Sequence, residues 1–354
     1  MPEPNSIGDA ERILGNRALI AEEMVSGFSQ RAMEMGRPYQ MDTPRLEKLA
    51  EYDVSYLSYA LSTGEPELYT GYVGWLHSML AAHGLPGEYI VPMALDNLLR
   101  AVEACVELEA PEAVEQLVAL GKAVSSGKAA HPETFFKADN PLLGAAREYL
   151  GYLVKSDRRA ALDVVRGALG KGVSVQDIYL NIFEPVQQEI GRLWQMHEIS
   201  VAHEHFASVT TQTAMSLLYD NIFDDNSARH GRSMVAACVG DELHEIGLRM
   251  VADLFEMSGW DTIFLGANAP VHAIAAMLKE SNADLLALSC SMIVHVENIR
   301  ATIAYLRRAG FGALPVMVGG FPFNISPKLA GIVGADGCAA DAGAAVAEGR
   351  RLCG

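Results

Sequence analysis

Apolar residues recur at helical spacing through the first part of the chain, from about residue 8 to residue 128. Proline follows Thr43 and Ala110, at positions where the first turn of a helix tolerates a missing N–H. Glycine and proline at 64–66 and 84–87 separate one helix from the next. The pattern predicts a series of amphipathic helices in this region and no strand.

A second stretch, from about 142 to 222, shows the same helical periodicity. Polar segments flank it at 125–141 and 224–231, and clusters of Ser, Asn, Asp and Gly are typical of connecting loops. We therefore expect a helical bundle between two links.

After Ser233 the pattern changes to short, continuous apolar runs separated by helix-length segments. The runs are MVAACVG, DTIFLG, DLLALSCSM and PVMVGG. Strands that are buried on both faces have such runs, and their alternation with helices predicts a parallel sheet. The expected fold class is multidomain α plus α/β, with an all-helical domain over 1–135, a helical bundle over 140–225 and a doubly wound, Rossmann-like domain over 232–354.

The composition is that of a globular protein with an acidic surface. Half of the residues are hydrophobic, and 44 acidic residues against 27 basic ones give a formal net charge of −17. Because an acidic surface repels phosphate groups, we expect neither direct DNA binding nor binding to an anionic membrane. The N-terminus lacks the apolar core of a signal peptide, and no apolar run reaches membrane-spanning length. Five cysteines without a CxxC pair fit a reducing compartment, so we expect a cytoplasmic protein.

His244 lies in the predicted loop after the first strand of the α/β domain. In an open α/β sheet, ligands bind beyond the carboxyl ends of the strands. Glu242 is placed to hydrogen-bond the imidazole and raise its donor strength, and Gly247 is expected to let the next helix approach closely. The alternative is a flavodoxin-like domain with a surface histidine and a solvated Glu242, which binds nothing through His244.

The spacing of these residues favours the first interpretation. Glu242-x-His244-x-x-Gly247 resembles the Asp-x-His-x-x-Gly signature of cobalamin-binding domains such as those of methionine synthase and methylmalonyl-CoA mutase. That signature continues with a serine after the third strand and a Gly-Gly pair after the fourth, which match Ser289 and 319–320. Three elements thus match at the expected topological places.

The resemblance implies that His244 is the lower axial ligand to the cobalt of cobalamin, in place of the cofactor's own dimethylbenzimidazole. The displaced nucleotide tail would then enter a slot where small residues leave room. The slot residues would be Ser289, Ser291, Gly319 and Gly320. This chain departs from the signature at two positions, with Glu242 for the usual Asp and Ser291 for a common Leu.

A second group of candidate residues lies in the predicted bundle. Ser200 is a suitable N-cap for a helix on which Val201, Glu204 and His205 share roughly one face. Trp194 comes at the end of the preceding helix, so the turn brings an indole, a carboxylate and an imidazole together. The alternative is that Trp194 anchors the bundle core and that Glu204 and His205 are an exposed polar pair.

Trp194, followed by nine residues and then Glu204-His205, resembles the cap of CarH-like regulators, which are light sensors that use adenosylcobalamin. The resemblance implies that Trp194, Val201, Glu204 and His205 pack over the upper axial adenosyl group. In the best-known members a histidine directly follows the tryptophan, and this chain has Gln195 there. His197 or His203 could take its place after photolysis, or no second histidine is used.

The N-terminal helices contain many aromatic residues between 56 and 83, which in a bundle usually form the core. Trp75, His77 and His83 are nevertheless predicted to line a tetrapyrrole pocket. A globin-like helical domain joined to a CarH-like unit resembles the photocobilins, which bind a bilin as well as cobalamin. Because Cys105, the region's one thiol, lies in an apolar helical stripe, we expect a bilin such as biliverdin to be held non-covalently.

The leading hypothesis is a light sensor that is not an enzyme. Photolysis of the cobalt–carbon bond would change domain packing or oligomeric state and so signal to a regulatory protein partner, with the chain forming a homo-oligomer. The alternative is a corrinoid carrier protein for methyl transfer, which needs an open upper face. A cobalamin mutase subunit is disfavoured because the sequence contains no substrate barrel.

Overall fold

The computed structural model describes residues 4–34, 43–223, 229 and 231–354, and the chain divides into two compact units. The first is Met1–Pro132 and the second is Glu133–Gly354. No helix among the described residues is long and apolar enough to cross a membrane. The link predicted over 224–231 lies largely outside the described residues.

The first unit consists of helices and their connections, with no strand within 4–34 and 43–132, as the periodicity predicts. Pro66 and Pro111 each open a helix, where their missing N–H costs nothing. Asp9 joins α1 to the start of α6, because its carboxylate accepts hydrogen bonds from the backbone N–H groups of Glu109 (2.9 Å) and Ala110 (2.7 Å). The helices are α1 (Pro4–Gly15), α2 (Arg17–Glu34), α3 (Thr43–Thr63), α4 (Pro66–Ala82), α5 (Gly87–Cys105) and α6 (Pro111–Ser125).

The second unit begins with a helical bundle around a core of buried aromatic and aliphatic side chains, among them Tyr149, Phe183 and Ile190. One turn, Tyr179–Phe183, is π-helical, a form that inserts an extra residue into the helix. The helices are α7 (Leu143–Val154), α8 (Arg158–Gly170), α9 (Val175–Ile178), α10 (Glu184–Gln195), α11 (Val201–Leu217) and α12 (Tyr219–Phe223).

A five-stranded parallel sheet of order β2-β1-β3-β4-β5 follows. Its strands are β1 (Ser233–Cys238), β2 (Asp261–Phe264), β3 (Leu285–Ser289), β4 (Val316–Gly319) and β5 (Gly337–Ala339). The helices of this domain are α13 (Ile246–Met257), α14 (Val271–Ser281), α15 (Val296–Arg308), α16 (Phe321–Ile325), α17 (Lys328–Ile332) and α18 (Ala342–Cys353). The predicted α/β fold and its first four strands are confirmed. The three-residue β5 has no apolar run to reveal it.

Helix α13 joins the bundle to the sheet within the second unit. Its apolar residues Met250 and Leu254 are buried in the bundle core. The Arg249 guanidinium donates to the Tyr219 hydroxyl at 3.0 Å, which adds a polar contact along the same helix. The carboxyl edge of the sheet is thereby held next to α11.

Candidate functional site

The loop between β1 and α13 places His244 at the carboxyl edge of the sheet. Gly240 turns this loop with a φ of 61°, in the left-handed region that favours glycine. A Cβ on Gly240 would lie 2.1 Å from Asn298 Nδ2, so the turn leaves no room for a side chain. The His244 side chain beyond it is 61% exposed.

The Glu242 carboxylate is the centre of a hydrogen-bond network in which it accepts every bond. Its Oε1 accepts from the backbone N–H of His244 at 2.9 Å and from His244 Nδ1 at 2.5 Å. Its Oε2 accepts from the backbone N–H groups of Ser291 (2.7 Å) and Met292 (3.3 Å) and from His295 Nδ1 at 3.0 Å. Glu242 itself is fully buried. The alternative of a solvated Glu242 is therefore wrong.

The charges of Glu242 and His244 decide which of the two accepts and which donates the hydrogen bond. Burial alone would raise the pKa of Glu242, but the hydrogen bonds from His244 and His295 outweigh it and hold that pKa far below its usual range. The hydrogen bond to Glu242 in turn raises the pKa of His244, against the opposing effect of burial. Because Nδ1 of His244 donates to the carboxylate, its neutral form presents the Nε2 lone pair away from Glu242. A ring nitrogen oriented in this way is suited to a metal that a macrocycle already holds in its plane.

The predicted slot residues lie together at the same edge. Ser289 and Gly319 pair in register at the ends of β3 and β4. Gly320 has a φ of 104°, and a Cβ there would lie 2.0 Å from the Cys290 carbonyl oxygen. The floor between the two strands therefore excludes any side chain at position 320, while the Ser291 backbone helps to hold Glu242.

Gly247 differs from its predicted role. It lies in the first turn of α13, and a Cβ there would meet nothing within 4 Å. The expectation that it lets the helix approach closely is therefore wrong. The position instead has open space around it.

The candidate bundle residues lie at the end of α10, where Trp194 is found, and in the first turns of α11, which hold Val201, Glu204 and His205. His205 Nδ1 lies 2.5 Å from Glu204 Oε2, and Glu204 Oε1 accepts from the Ser208 hydroxyl at 2.9 Å. Trp194 is 38% exposed and Val201 55% exposed. Trp194 is therefore not a buried core anchor. We call Trp194, Val201, Glu204 and His205 the cap patch.

The three residues near Trp194 that could act after photolysis lie in different environments. Gln195 is buried in the bundle. His203 closes a capping box at the start of α11, because its Nδ1 accepts from the Ser200 backbone N–H at 3.3 Å, which confirms Ser200 as N-cap. His197 is exposed, at a left-handed φ of 56°.

Within the cap patch, Glu204 acts on the His244 loop. The negative charge of Glu204 contributes to raising the pKa of His244, an effect that requires proximity. Gln212, further along α11, donates to Glu245 Oε1 at 2.8 Å and so ties the helix to the residue after His244. Leu243 is 72% exposed in the same loop. An outward imidazole, a glycine floor and exposed apolar side chains in the loop and in the bundle fit a corrinoid.

Two grooves lie elsewhere in the second unit. One of about 550 Å³ is lined by residues that include Val175, Leu254 and Arg350, and one of about 410 Å³ lies between α7 and α8. Neither is lined by His244 or by the cap patch. The candidate site is thus identified by its chemistry rather than by the size of a cavity.

The structure does not bring Trp75, His77 and His83 into one pocket. Trp75 and His77 are two residues apart on α4, which places them on nearly opposite faces of the helix. His77 is buried against Gly87, whereas His83 is exposed at the end of α4, with Nδ1 at 2.9 Å from the Met79 carbonyl oxygen.

Asp53, which sequence reasoning missed, lies in the buried aromatic cluster of the first unit. Burial raises its pKa to about 7, and a hydrogen bond with Tyr72 acts in the opposite direction. Tyr72 stacks on Tyr56 with ring centroids 4.2 Å apart and on Trp75 at 6.2 Å. Asp53 Oδ1 and the Tyr69 hydroxyl have no hydrogen-bond partner among the residues that the structure describes.

Comparison with family models finds two matches, both in the second unit. One B12 binding domain model matches residues 232–348, and a second matches residues 145–219. The first covers the sheet and the His244 loop, and the second covers most of the bundle.

Similar proteins include corrinoid proteins of Methanosarcina species. Dimethylamine corrinoid protein 1 of Methanosarcina acetivorans is 25% identical over 207 residues, which are 58% of this chain and 96% of that protein. Trimethylamine corrinoid protein 1 of the same organism is 24% identical over 182 residues, 51% of this chain and 83% of that protein. The structure of the Methanosarcina barkeri monomethylamine corrinoid protein matches with a TM-score of 0.54 at 18% identity, over 60% of this chain and 99% of that chain, which shows a common fold.

Proposed function

We propose that this cobalamin-binding protein is a light sensor that holds adenosylcobalamin between the cap patch and the carboxyl edge of the sheet. His244 Nε2 would be the lower ligand to cobalt, and the cap patch would cover the upper face. The observation that supports this most is the charge of Glu204 on α11, which acts on His244, together with the exposure of Val201 on the same helix and of Trp194 at the end of α10. Exposed apolar side chains are suited to contacting an apolar or aromatic group, which fits an adenosyl ligand.

The residues of the chain divide the work. Glu242 fixes Nδ1 of His244 and so directs Nε2 outward, while Gly319 and Gly320 leave room for the nucleotide tail. Adenosylcobalamin, when bound, supplies a cobalt–carbon bond that visible light cleaves. Loss of the upper group would leave Trp194 and Val201 without their apolar contact. Because α11 is hydrogen-bonded to Glu245, the change would be passed to the packing of bundle on sheet.

The output would be a change in domain packing or oligomeric state that a regulatory protein partner recognises. The chain would act as a cytoplasmic homo-oligomer and not as an enzyme. The cap patch would both sense the loss of the adenosyl group and start the change in packing.

A bilin such as biliverdin would occupy the first unit, non-covalently. Support comes from Asp53 Oδ1 and the Tyr69 hydroxyl, which are buried polar atoms that need partners. Pyrrole N–H groups are donors of the kind that a carboxylate accepts, and the Tyr72–Trp75 stack offers an aromatic surface. Trp75 would contact the ligand, whereas His77 and His83 would not.

A corrinoid carrier for methyl transfer is the second candidate. Relatives named as methylamine corrinoid proteins match over most of their length, and both B12 binding domain models fit the same two-part unit. The comparisons favour this carrier over the light sensor, whereas the cap patch favours the sensor. A carrier would exchange methyl groups with a methyltransferase partner.

The experiment loads the protein in darkness with adenosylcobalamin or with methylcobalamin and records absorption and particle size before and after green light. The sensor predicts tighter binding of the adenosyl form and an irreversible change in spectrum and size on illumination. W194A should weaken that preference, whereas L217A, an exposed site at the other end of α11, should keep it. Preference for methylcobalamin with no change of size in light would sink the sensor and support the carrier.

A further inference from the structure

The larger of the two grooves in the second unit lies where the bundle meets the sheet domain. Its volume of about 550 Å³ is within the range of small-molecule sites. Residues of α8, α9 and α12 in the bundle line it, and so do residues of α13 and α18 in the sheet domain. A molecule held in this groove would therefore contact both halves of the second unit.

Helix α18 presents one of its faces to the groove. Gly343, Val346, Ala347 and Arg350 all line it, at intervals of three and four residues that place them on one side of the helix. At a rise of about 1.5 Å per residue, Gly343 and Arg350 are roughly 10 Å apart along the helix axis. The groove thus follows α18, with its charged residue at one end of this face.

The interior of the groove is apolar. Leu254 is buried there, and Leu169, Val173, Met257 and Val346 are half-buried side chains that pack against the bundle core. Burying such a surface under a hydrocarbon chain releases water from both and is favourable. The interior is therefore suited to an aliphatic chain.

The charge in the groove comes from Arg350, and its described lining contains no carboxylate. Arg350 is exposed and makes neither an ion pair nor a hydrogen bond within the part of the chain that the structure describes. The smaller groove differs, because two carboxylates and a lysine line it. In a chain with a formal net charge of −17, an unpaired guanidinium beside an apolar surface favours an anionic ligand.

We propose that this groove binds an amphiphilic carboxylate, with its aliphatic chain along α13 and α18 and its carboxylate on Arg350. A guanidinium and a carboxylate form charge-assisted hydrogen bonds, and the fork of the Arg side chain matches the two oxygens. The ligand would act as an effector that stabilises the packing of bundle on sheet, since it contacts both. The site is separate from the cobalamin site, because neither the His244 loop nor the cap patch lines the groove.

The test is calorimetric titration of the full chain with decanoate, below the concentration at which it forms micelles. Decyltrimethylammonium is the probe with the same chain and the opposite charge. R350E reverses the charge of the groove, and A347F fills it from an exposed position. R308E is the matched control, because Arg308 is also an exposed arginine in the last turn of a helix but lies outside the groove. The methyl signal of Met257 in an NMR spectrum reports occupancy of the groove.

Decanoate should bind saturably to the wild-type protein, shift the Met257 methyl signal and raise the unfolding temperature. R350E and A347F should each weaken its affinity by about 10-fold or more, whereas R308E should keep the wild-type affinity. R350K, which retains the charge, should lose less than R350E. Decyltrimethylammonium should bind the wild-type protein more weakly than decanoate does, and R350E should reverse that order.

Three results would overturn the proposal. They are the absence of saturable decanoate binding, equal decanoate affinities in R350E and R308E, and binding that leaves the Met257 signal unmoved. Thermal unfolding of each variant without ligand shows whether it is folded, and R350K tests the charge with the smallest change to the helix.

Discussion

The Tyr179 hydroxyl donates a 2.7 Å hydrogen bond to Asp253 Oδ2, across the contact between the π-helical turn and α13. Both residues are buried, and burial raises the pKa of Asp253 to about 6, against the opposing effect of the Tyr179 hydrogen bond. The contact between bundle and sheet therefore contains a carboxyl group that ionises near neutral pH.

Stability should fall as pH rises through the titration of Asp253. The group ionises near pH 4 in an unfolded chain and at about 6 in the folded protein, so between these values the folded state holds a proton that the unfolded state has lost. This should remove roughly 2 kcal/mol of unfolding free energy between pH 4 and 7. Urea unfolding of wild type and D253N at both pH values measures this loss. The unfolding free energy of D253N relative to wild type should be higher at pH 7 than at pH 4 by the same amount. An unchanged difference would contradict the shift.

E242Q should destabilise the protein and weaken cobalamin binding together. The Gln amide would turn an N–H donor toward groups that already donate, and the cost should be roughly 3 kcal/mol of unfolding free energy. E297Q, which loses only a partly exposed contact with Arg300, should cost under about 1 kcal/mol. Denaturant titration and a binding titration on both variants check this. Similar losses of unfolding free energy in E242Q and E297Q would contradict the central role of Glu242 in the hydrogen-bond network.

G320A should prevent normal packing of the strand ends. The added Cβ would meet the Cys290 carbonyl oxygen at 2.0 Å, at a φ of 104° that alanine rarely adopts. We expect a loss of roughly 3 kcal/mol or more of unfolding free energy. In G331A, where a Cβ meets nothing within 4 Å, the change should stay within about 1 kcal/mol. Thermal unfolding of both compares them, and equal melting temperatures would be the contrary result.

G247A should separate folding from binding. The added methyl group has open space and lies at the start of α13, so unfolding free energy should rise by up to about 1 kcal/mol. If the open space at Gly247, three residues after His244 in the chain, belongs to the corrinoid, the same change should weaken adenosylcobalamin binding. Calorimetric titration measures the binding. Unaltered affinity in G247A would indicate that the corrinoid does not lie next to Gly247.

The sequence predicted the elements whose signals are local. Strands β1 to β4 have continuous apolar runs, and Ser200 stands where a helix needs an N-cap. The π-helical turn and β5 were missed because neither has a characteristic residue pattern.

Long-range contacts could not be predicted in the same way. His295 was missed because its bond to Glu242 joins two loops that only the sheet brings together. Trp75 and His77 were grouped because they are close in sequence, yet a separation of two residues places them on opposite faces of a helix. The hydrogen bond between Glu242 and His244 could be predicted, because both residues lie within a single loop.

Met250 and Leu254 belong to α13 of the sheet domain, yet they complete the core of the preceding bundle. A bundle produced from its own helices alone would lack these two side chains and expose the surface that they cover. Gene fusion or recombination at 224–231 would therefore separate the bundle from two side chains of its own core. Residues 133–354 therefore form one folding unit. We expect this unit to be inherited, exchanged and engineered as a whole.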